Sequence, residues 1–291
     1  MAKVIDYLNL VKFSHTVFAM PFALLSFVYA AKSMPEVNNP YWWVMLLVQV
    51  VLCMVFARNV AMGFNRWADR FIDADNPRTA NREIPAGKIS PKQAAWFVAG
   101  NALLFIVVSA TINPLCGWLS PVALAIVMFY SYCKRFTSLA HIVLGLSLGI
   151  APVGATIAVL GEITPQSIVL AMGVMCWSAG FDIIYALQDA EFDRSRGLHS
   201  VPSRFTARTS LIISALLHVA SISFIVLYTT YQPQSWLAWL GFGFFTVVVV
   251  SEHILVTPTK QRNIGIAFGT FNALASVAYG LVLIANLLIF G

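Results

Sequence analysis

NRWADRFID (residues 65–73) and YALQDAEFD (residues 185–193) are two acidic stretches of this chain that share one spacing. Each holds three polar side chains in steps of four residues: Asn65, Asp69 and Asp73 in the first, Tyr185, Asp189 and Asp193 in the second. Residues four apart lie on one face of an α-helix. Every member of the second set follows its counterpart by 120 positions. The spacing predicts two helices that each present a row of ligands for a divalent metal ion.

The rest of the chain is strongly apolar. Hydrophobic residues make up 59% of the 291 positions, charged residues only 10%, and the mean hydropathy is +0.79. These values lie outside the range of soluble globular domains. Stretches long enough to cross a bilayer, roughly 17–25 residues, are centred near Ala23, Gln49, Leu103, Leu124, Leu148, Gly173, Ile222, Phe245 and Val277. We therefore predict an all-α fold, a polytopic membrane protein with nine transmembrane helices.

Basic residues are distributed unevenly between the two membrane faces. Of the 18 Lys and Arg residues, 16 fall in the N-terminal segment and in the loops after the second, fourth, sixth and eighth predicted spans. Lys32 falls on the opposite face, and Arg58 lies within the second span. Short loops rich in Lys and Arg stay in the cytoplasm. We expect a multi-pass protein of the inner membrane, with its N-terminus and both acidic motifs on the cytoplasmic side.

Several other classes of function lack support in the sequence. The basic residues are spread over loops that flank the membrane, without a recognition helix, so nucleic acid is not a predicted partner. The four cysteines are isolated in apolar stretches and are expected to be small buried hydrophobes. HExxH, the P-loop and the Gly-rich dinucleotide turn are missing from the sequence. The acidic motifs are the features that indicate chemistry.

The two motifs open two long loops, at about residues 66–92 and 189–209. Each loop continues through basic residues to a proline. We predict a single membrane domain over residues 1–291, with a possible pseudo-repeat of residues 42–160 and 167–290. In that arrangement both motifs lie at the same end of a unit's first helix, where they can face each other.

Clustered carboxylates repel one another unless a cation neutralises them. One interpretation of the motifs is a network of salt bridges at the membrane surface. The repeated spacing favours Mg²⁺, which prefers carboxylate, amide and water ligands and often completes its coordination with phosphate. Two such sites facing each other would hold a diphosphate whose lipid tail lies among the apolar spans. Neutralising the diphosphate makes it a good leaving group.

Four stretches carry a resemblance to a known family: KFSHTVFAMPFAL, NRWADRFIDADNPRTANREIPAGKIS, YSYCKRFT and YALQDAEFDRSRGLHSVPSRF. Through them the whole chain resembles the UbiA superfamily of intramembrane prenyltransferases. The resemblance implies nine helices around a central cavity. It also implies a cytoplasmic cap over two Asp-rich motifs that bind Mg²⁺ and a polyprenyl diphosphate.

The resemblance assigns roles by position. The metal ligands it implies are Asn65, Asp69, Asp73, Asp189 and Asp193, with Tyr185 preceding the second motif. The basic residues it places at the diphosphate are Arg66, Arg82, Lys134 and Arg135. Asp69, Asp189, Tyr185 and Asp182 are the predicted catalytic residues. For the carboxylate of an aromatic acid acceptor, the candidate cations are Arg58 and Lys12.

Asp182 has two interpretations. It lies seven residues before Asp189, about two helical turns away on the same face. It either orients Tyr185 or approaches the acceptor, or else it is a buried carboxylate paired with Arg58 or Lys134.

Within the superfamily, the chain looks most like bacterial members that prenylate 4-hydroxybenzoate or, in the futalosine route to menaquinone, a dihydroxynaphthoate. The predicted function is Mg²⁺-dependent polyprenyl transfer to such an acceptor in quinone biosynthesis, for ubiquinone or menaquinone. Aromatic faces that could stabilise the allylic cation are Phe64, Tyr130, Phe181 and Tyr185. The alternative from another class is a transporter or ion channel with acidic sites at a cytoplasmic gate. Transporters usually place such sites near the midplane.

Overall fold

The computed structural model of the chain describes residues 3–11, 18–34 and 39–291. These residues are almost entirely helical and form no β-strand. The long helices are α2 (Met20–Lys32), α3 (Pro40–Ala68), α5 (Pro91–Ile112), α6 (Pro114–Cys133), α7 (Ala140–Leu160), α8 (Pro165–Ala186), α11 (Ala207–Thr230), α12 (Trp236–Leu255) and α14 (Asn272–Phe290). Short helical segments are α1 (Val4–Leu10), α4 (Arg70–Asp75), α9 (Ala190–Ser195), α10 (Val201–Arg204) and α13 (Ile264–Ile266), a 3₁₀ turn (Leu187–Asp189) and a π-helical turn (Ala267–Phe271).

The predicted all-α, polytopic membrane fold is confirmed. Eight helices of the described residues are long and apolar enough to cross a membrane, by length and composition. The first predicted span corresponds to α2, which has 13 residues. At 1.5 Å per residue such a helix is about 20 Å long, shorter than a hydrocarbon core of about 30 Å. The count of nine full-length spans is therefore not confirmed for the described part of the chain.

Four of the long helices begin with the same local signal. A polar N-cap is followed by proline at the first helical position: Asn39–Pro40, Ser90–Pro91, Asn113–Pro114 and Thr164–Pro165. Each cap side chain accepts a hydrogen bond from a backbone N–H of the first turn. The proline needs no such partner, because it has no N–H. The sequence thus fixes where α3, α5, α6 and α8 start.

Helix α8 is the most enclosed of the spans, with 72% of its apolar window buried. Two glycines of α7 allow the close approach: a Cβ built on Gly145 would lie 2.3 Å from the carbonyl oxygen of Met175, and one on Gly149 would lie 2.7 Å from that of Ala171. Small residues at helix interfaces bring backbones together in this way. The packing holds α8 firmly, and α8 carries Asp182 and leads into Asp189.

Both acidic motifs interrupt their helices at the middle aspartate. Asp69 (φ −91°, ψ 7°) separates α3 from α4, and Asp189 (φ −106°, ψ 3°) ends the 3₁₀ turn and caps α9. Each row of three polar side chains is therefore divided between separate helical segments. In the first motif the bend is mild, because the backbone N–H of Asp69 still donates to Asn65 O at 2.9 Å and that of Asp73 to Asp69 O at 2.7 Å. The pseudo-repeat of residues 42–160 and 167–290 stays a prediction.

Candidate active site

Both acidic motifs line one cavity of about 180 Å³, which we name the polar chamber. The residues of the two motifs that line it are Asn65, Asp69, Asp73, Tyr185, Asp189 and Asp193. The other predicted site residues on its wall are Arg58, Arg66, Arg82, Lys134, Arg135 and Asp182. Lys12 lies outside the described residues. The structure thus brings every other predicted site residue to a single place.

Each of the four motif carboxylates has a basic partner. The pairs are Asp69 with Arg135 at 3.2 Å, Asp73 with Arg82 at 2.6 Å, Asp189 with Arg78 at 2.8 Å (Oδ1 to Nε), and Asp193 with Lys134 at 3.9 Å. Such pairing offsets the repulsion between neighbouring carboxylates. Three of these basic residues were predicted to hold a diphosphate, and in this state they neutralise the acidic motifs instead.

Arg78 is a site residue that the sequence did not single out. It lies in the loop after α4, and its guanidinium donates to both carboxylate oxygens of Asp189. It also donates to the Tyr185 hydroxyl at 3.0 Å. Asn76 adds a bond from Nδ2 to Asp189 Oδ1 at 3.1 Å. The loop after the first motif therefore contacts the second motif directly. This contact depends on the path of the loop, so the sequence alone did not reveal it.

The first motif has donors suited to a metal ion. One oxygen of Asp73 is buried and has no hydrogen-bond partner. Burial, together with the nearby charge of Asp73, raises the pKa of the Asp69 carboxyl despite its hydrogen bond from Arg135. Both observations describe carboxylates whose negative charge is incompletely compensated. Mg²⁺ prefers such oxygens, so the residues fit the ion in kind. Among the described residues no three His, Cys, Asp or Glu side chains converge as a ready-made site.

Lys134 stands among the acidic residues at the end of α6. Burial lowers the pKa of its ammonium group, but the surrounding carboxylates, Asp193 foremost, outweigh that effect and the pKa is raised. The lysine therefore stays charged inside the chamber. Its charge is available to an anion that enters between the motifs.

Arg58 and Arg66 differ from the other basic residues of the chamber. Neither forms an ion pair with any residue that the structure describes, and the Nε of each is buried without a hydrogen-bond partner. Arg66 is only 5% exposed. Buried cations without partners are costly. Their place in the chamber wall indicates an anionic ligand.

A second, apolar cavity of about 420 Å³ adjoins the polar chamber. Helices α3, α5, α6, α7 and α8 contribute most of its lining. The two cavities share a set of wall residues, which we name the neck: Phe18, Arg58, Met62, Asn65, Tyr130, Leu144 and Leu148. A charged headgroup and a long apolar tail can therefore be accommodated side by side.

Asp182 has a partner that the sequence did not predict. Its Oδ2 lies 2.7 Å from Nδ1 of His141 on α7, and it forms no salt bridge with Arg58 or Lys134. The predicted structural pairing is therefore wrong in its partner. No hydrogen bond joins Asp182 to Tyr185 among the described residues, and the hydroxyl of Tyr185 accepts one from Arg78. His141 lies 41 positions from Asp182, so no spacing along the sequence indicated this pair.

Three of the four predicted aromatic faces line the polar chamber: Tyr130, Phe181 and Tyr185. The fourth, Phe64, lines neither cavity and packs on Trp67 and Tyr132. A further ring was missed: Phe268 lines the chamber and lies 4.1 Å from Tyr185 between ring centroids. It belongs to the π-helical turn, a distortion frequent at functional sites.

The comparison with known proteins agrees with this architecture. The UbiA prenyltransferase family matches residues 19–287. A 4-hydroxybenzoate octaprenyltransferase of Yersinia pseudotuberculosis serotype IB (strain PB1/+) is 31% identical over 265 residues, which are 89% of this chain and 86% of that protein. Its counterpart in Yersinia enterocolitica serotype O:8 is 30% identical over 234 residues, 80% of this chain and 76% of that protein.

Solved structures show the same fold. The apo structure of a UbiA homolog from Aeropyrum pernix K1 has a TM-score of 0.78 at 26% identity and covers 94% of this chain and 97% of its own. A UbiA homolog from Archaeoglobus fulgidus, bound to GPP and Mg²⁺, has a TM-score of 0.72 at 20% identity, with coverages of 96% and 99%.

Proposed function

This chain belongs to the UbiA prenyltransferase family, and we propose that it transfers a polyprenyl group from its diphosphate to a ring carbon of an aromatic acid, with Mg²⁺ as cofactor, in quinone biosynthesis. The chain is an integral membrane prenyltransferase. The observation that carries the proposal is the neck, where a chamber of charged residues opens into an apolar cavity. The substrate it fits has a strongly anionic head and a long apolar tail.

The headgroup of the donor substrate is assigned to the polar chamber. We assign Asn65, Asp69, Asp73, Asp189 and Asp193 as the residues that hold Mg²⁺, and Arg66, Arg82, Lys134 and Arg135 as those that bind the diphosphate. We add Arg78 to the residues that bind the diphosphate, because its guanidinium lies beside Asp189 in the chamber. The A. fulgidus homolog binds GPP and Mg²⁺, which supports the assignment. Bound Mg²⁺ would neutralise charge that develops on the departing diphosphate.

The aromatic walls of the chamber face the carbon that becomes electrophilic. As the carbon–oxygen bond lengthens, the allylic carbon gains positive charge, and π-faces stabilise a nearby cation. Tyr185, Phe181 and Tyr130 line this region. They also keep bulk water from the cation, which would otherwise be hydrolysed.

The acceptor is assigned to the neck, beside Arg58. The ring of 4-hydroxybenzoate or of a dihydroxynaphthoate carries a carboxylate. Arg58 is half-buried, its Nε is buried without a hydrogen-bond partner, and it has no ion-pair partner among the described residues. A bidentate Arg–carboxylate pair fixes both position and orientation. The Yersinia relatives are named for 4-hydroxybenzoate and an octaprenyl chain, so we propose 4-hydroxybenzoate as the first acceptor to test and a dihydroxynaphthoate as its competitor. No observation on this fold favours the transporter alternative.

Transfer by the purified protein tests the proposal. The protein in detergent or nanodiscs is incubated with radiolabelled octaprenyl diphosphate, Mg²⁺ and one acceptor at a time, and the extracted lipid is analysed. We expect prenylated product with one acceptor at least tenfold above the other, loss of product with EDTA, and recovery with added Mg²⁺. Hydrolysis of the diphosphate without prenylation of either ring, or turnover that persists in EDTA, contradicts the proposal.

Orientation in the membrane rests on the distribution of basic residues. We place both acidic motifs on the cytoplasmic side of the inner membrane. In a variant without native cysteines, Lys88→Cys lies in the loop after the first motif and Glu162→Cys in the loop between α7 and α8. An impermeant thiol reagent applied to intact spheroplasts should label the second and spare the first. The reverse pattern overturns the assignment.

A further inference from the structure

His141 is buried between α7 and α8, with 1% of its side chain exposed. Its two ring nitrogens have different partners. Nδ1 lies 2.7 Å from Asp182 Oδ2, and Nε2 lies 3.2 Å from the backbone nitrogen of Val201. The backbone N–H of Val201 can only donate, so Nε2 must carry a lone pair. The proton of the neutral ring is therefore on Nδ1, where it is donated to Asp182. The backbone of α10 fixes this tautomer.

Asp182 differs from the four carboxylates of the motifs. It lines the polar chamber, yet no Arg or Lys of the described chain forms a salt bridge with it. His141 engages Oδ2, and no hydrogen bond occupies Oδ1 among the described residues. The side chain is 11% exposed, into the chamber. A carboxylate held at one oxygen and open at the other has the arrangement of a proton acceptor.

The position of Asp182 suits the acceptor ring. Along α8 it precedes Asp189 by seven residues, which at 1.5 Å per residue is about 10 Å toward the apolar cavity. The metal and diphosphate are assigned to the level of Asp189. Tyr130, which also lines the chamber, belongs to the neck as well. A ring bound beside the neck is therefore within the part of the chamber that Asp182 faces.

We propose that His141 is a positioning residue that holds Asp182 as the base for the aromatic acceptor. The inference rests on the proposed function. Asp182 Oδ1 takes the proton of the phenolic hydroxyl, and the electrons of that O–H bond move into the ring. The ortho carbon then bonds to the allylic carbon as the carbon–oxygen bond of the donor breaks and its electron pair leaves with the diphosphate. The resulting dienone loses its ring proton to water, which leaves an aromatic phenolate, and Asp182 returns the proton it took to the phenolate oxygen.

His141 also connects the base to the second loop. Val201 is the first residue of α10, whose N-cap Ser200 donates its hydroxyl to Asp193 at 2.9 Å. The same short helix therefore contacts a proposed metal ligand through Ser200 and the histidine through Val201. The position of α10 therefore influences the orientation of Asp182, because Val201 contacts His141 and His141 contacts Asp182.

Two substitutions separate the two contacts of His141. In His141→Asn the amide nitrogen lies where Nδ1 was and still donates to Asp182. In His141→Gln the longer side chain reaches toward Val201 and leaves Asp182 without its donor. We expect His141→Asn to keep kcat within about threefold of wild type. His141→Gln and His141→Ala should lose about tenfold or more, and Asp182→Asn about 100-fold or more, as for loss of a general base. KM for the polyprenyl diphosphate should stay unchanged in all four.

A more acidic phenol distinguishes proton transfer from a general structural defect. With a ring-fluorinated acceptor, which ionises more readily, the deficit of Asp182→Asn relative to wild type should shrink several-fold. His253→Ala is the matched control, because His253 hydrogen-bonds His218 and lines neither cavity. It should retain wild-type kcat.

The possible results are distinguishable. Wild-type transfer tests the proposed function, and the comparison among variants tests His141. Wild-type kcat in His141→Ala overturns the inference, as does a higher kcat in His141→Gln than in His141→Asn. An equal deficit of Asp182→Asn with both acceptors also overturns it. Thermal unfolding of each variant identifies any that fail to fold. In that case the comparison of His141→Asn with His141→Gln decides the outcome.

Discussion

Arg78 and Asp189 join the two acidic motifs across 111 positions of sequence, with Nε 2.8 Å from Oδ1 and a second bond from Nη2 to Oδ2. The carboxylate is nearly buried, whereas the guanidinium is about one-third exposed. The contact ties the loop after α4 to the end of α8. Both residues line the polar chamber, and the contact neutralises a carboxylate assigned to the metal.

The stability losses of the two single variants should together exceed the loss of the double variant, because each single substitution already removes the whole ion pair. In a double-mutant cycle of Arg78→Ala and Asp189→Asn, we expect a coupling energy of about 1–3 kcal/mol from thermal or denaturant unfolding. The pair Arg196 and Asp75 is the control. Both are more than half exposed at 3.1 Å, so their coupling should stay below about 1 kcal/mol. Equal coupling energies in the two cycles would show that the Arg78–Asp189 pair contributes no more than an exposed pair does.

Asp69→Asn should abolish transfer without lowering thermal stability. The pKa of Asp69 is raised in the folded state by burial and by the charge of Asp73, so ionisation of this carboxyl at neutral pH opposes folding. Without Mg²⁺ the variant should melt at the wild-type temperature or above it at pH 7. The difference should vanish below about pH 3, where the carboxyl is protonated in both states. A variant that melts at a lower temperature than wild type at pH 7 contradicts the expectation that ionised Asp69 opposes folding.

Arg58→Ala should weaken binding of the aromatic acid and leave binding of the donor unaffected. We expect KM for the acceptor to rise about tenfold or more, as for loss of a charge-assisted pair, with KM for the polyprenyl diphosphate unchanged. Arg70→Ala is the control, because Arg70 lines neither cavity. A rise in the donor KM alone would instead place the diphosphate at Arg58.

Gly154→Phe should shorten the tail that the enzyme accepts. Gly154 lies on α7 in the wall of the apolar cavity, and a Cβ built there meets no atom within 4 Å. A phenyl group can therefore enter without displacing the backbone. Relative kcat/KM should shift about tenfold or more from octaprenyl toward geranyl diphosphate. Gly100→Phe adds the same ring on an exposed position of α5 that also has free space, and it should change neither value.

The sequence predicted those features that depend on local pattern. Hydropathy identified the apolar segments, and the four-residue steps identified Asn65, Asp69 and Asp73 as neighbours in one chamber. The polar cap and the proline that begin four of the helices are likewise adjacent in the sequence. These signals are carried by residues close to one another along the chain, so no tertiary information was needed.

Features that depend on how distant segments meet could not be predicted. In one of its two interpretations Asp182 was paired with Arg58 or Lys134, but α7 packs on α8 through Gly145 and Gly149 and so brings His141 to it. Arg78 was one of many basic loop residues until the loop's path placed it on Asp189. The bends at Asp69 and Asp189 were missed because neither Pro nor Gly marks them.

The neck has a consequence for how the reaction ends. Cleaving the donor turns one amphiphile into two molecules of opposite solubility, an inorganic anion and a lipid. They form at the neck, where a charged compartment adjoins an apolar one. We expect each product to partition toward the medium that dissolves it, the anion to water and the prenylated ring to the bilayer. Once the two products have separated, they cannot recombine in the reverse reaction. Their separation therefore favours the forward transfer.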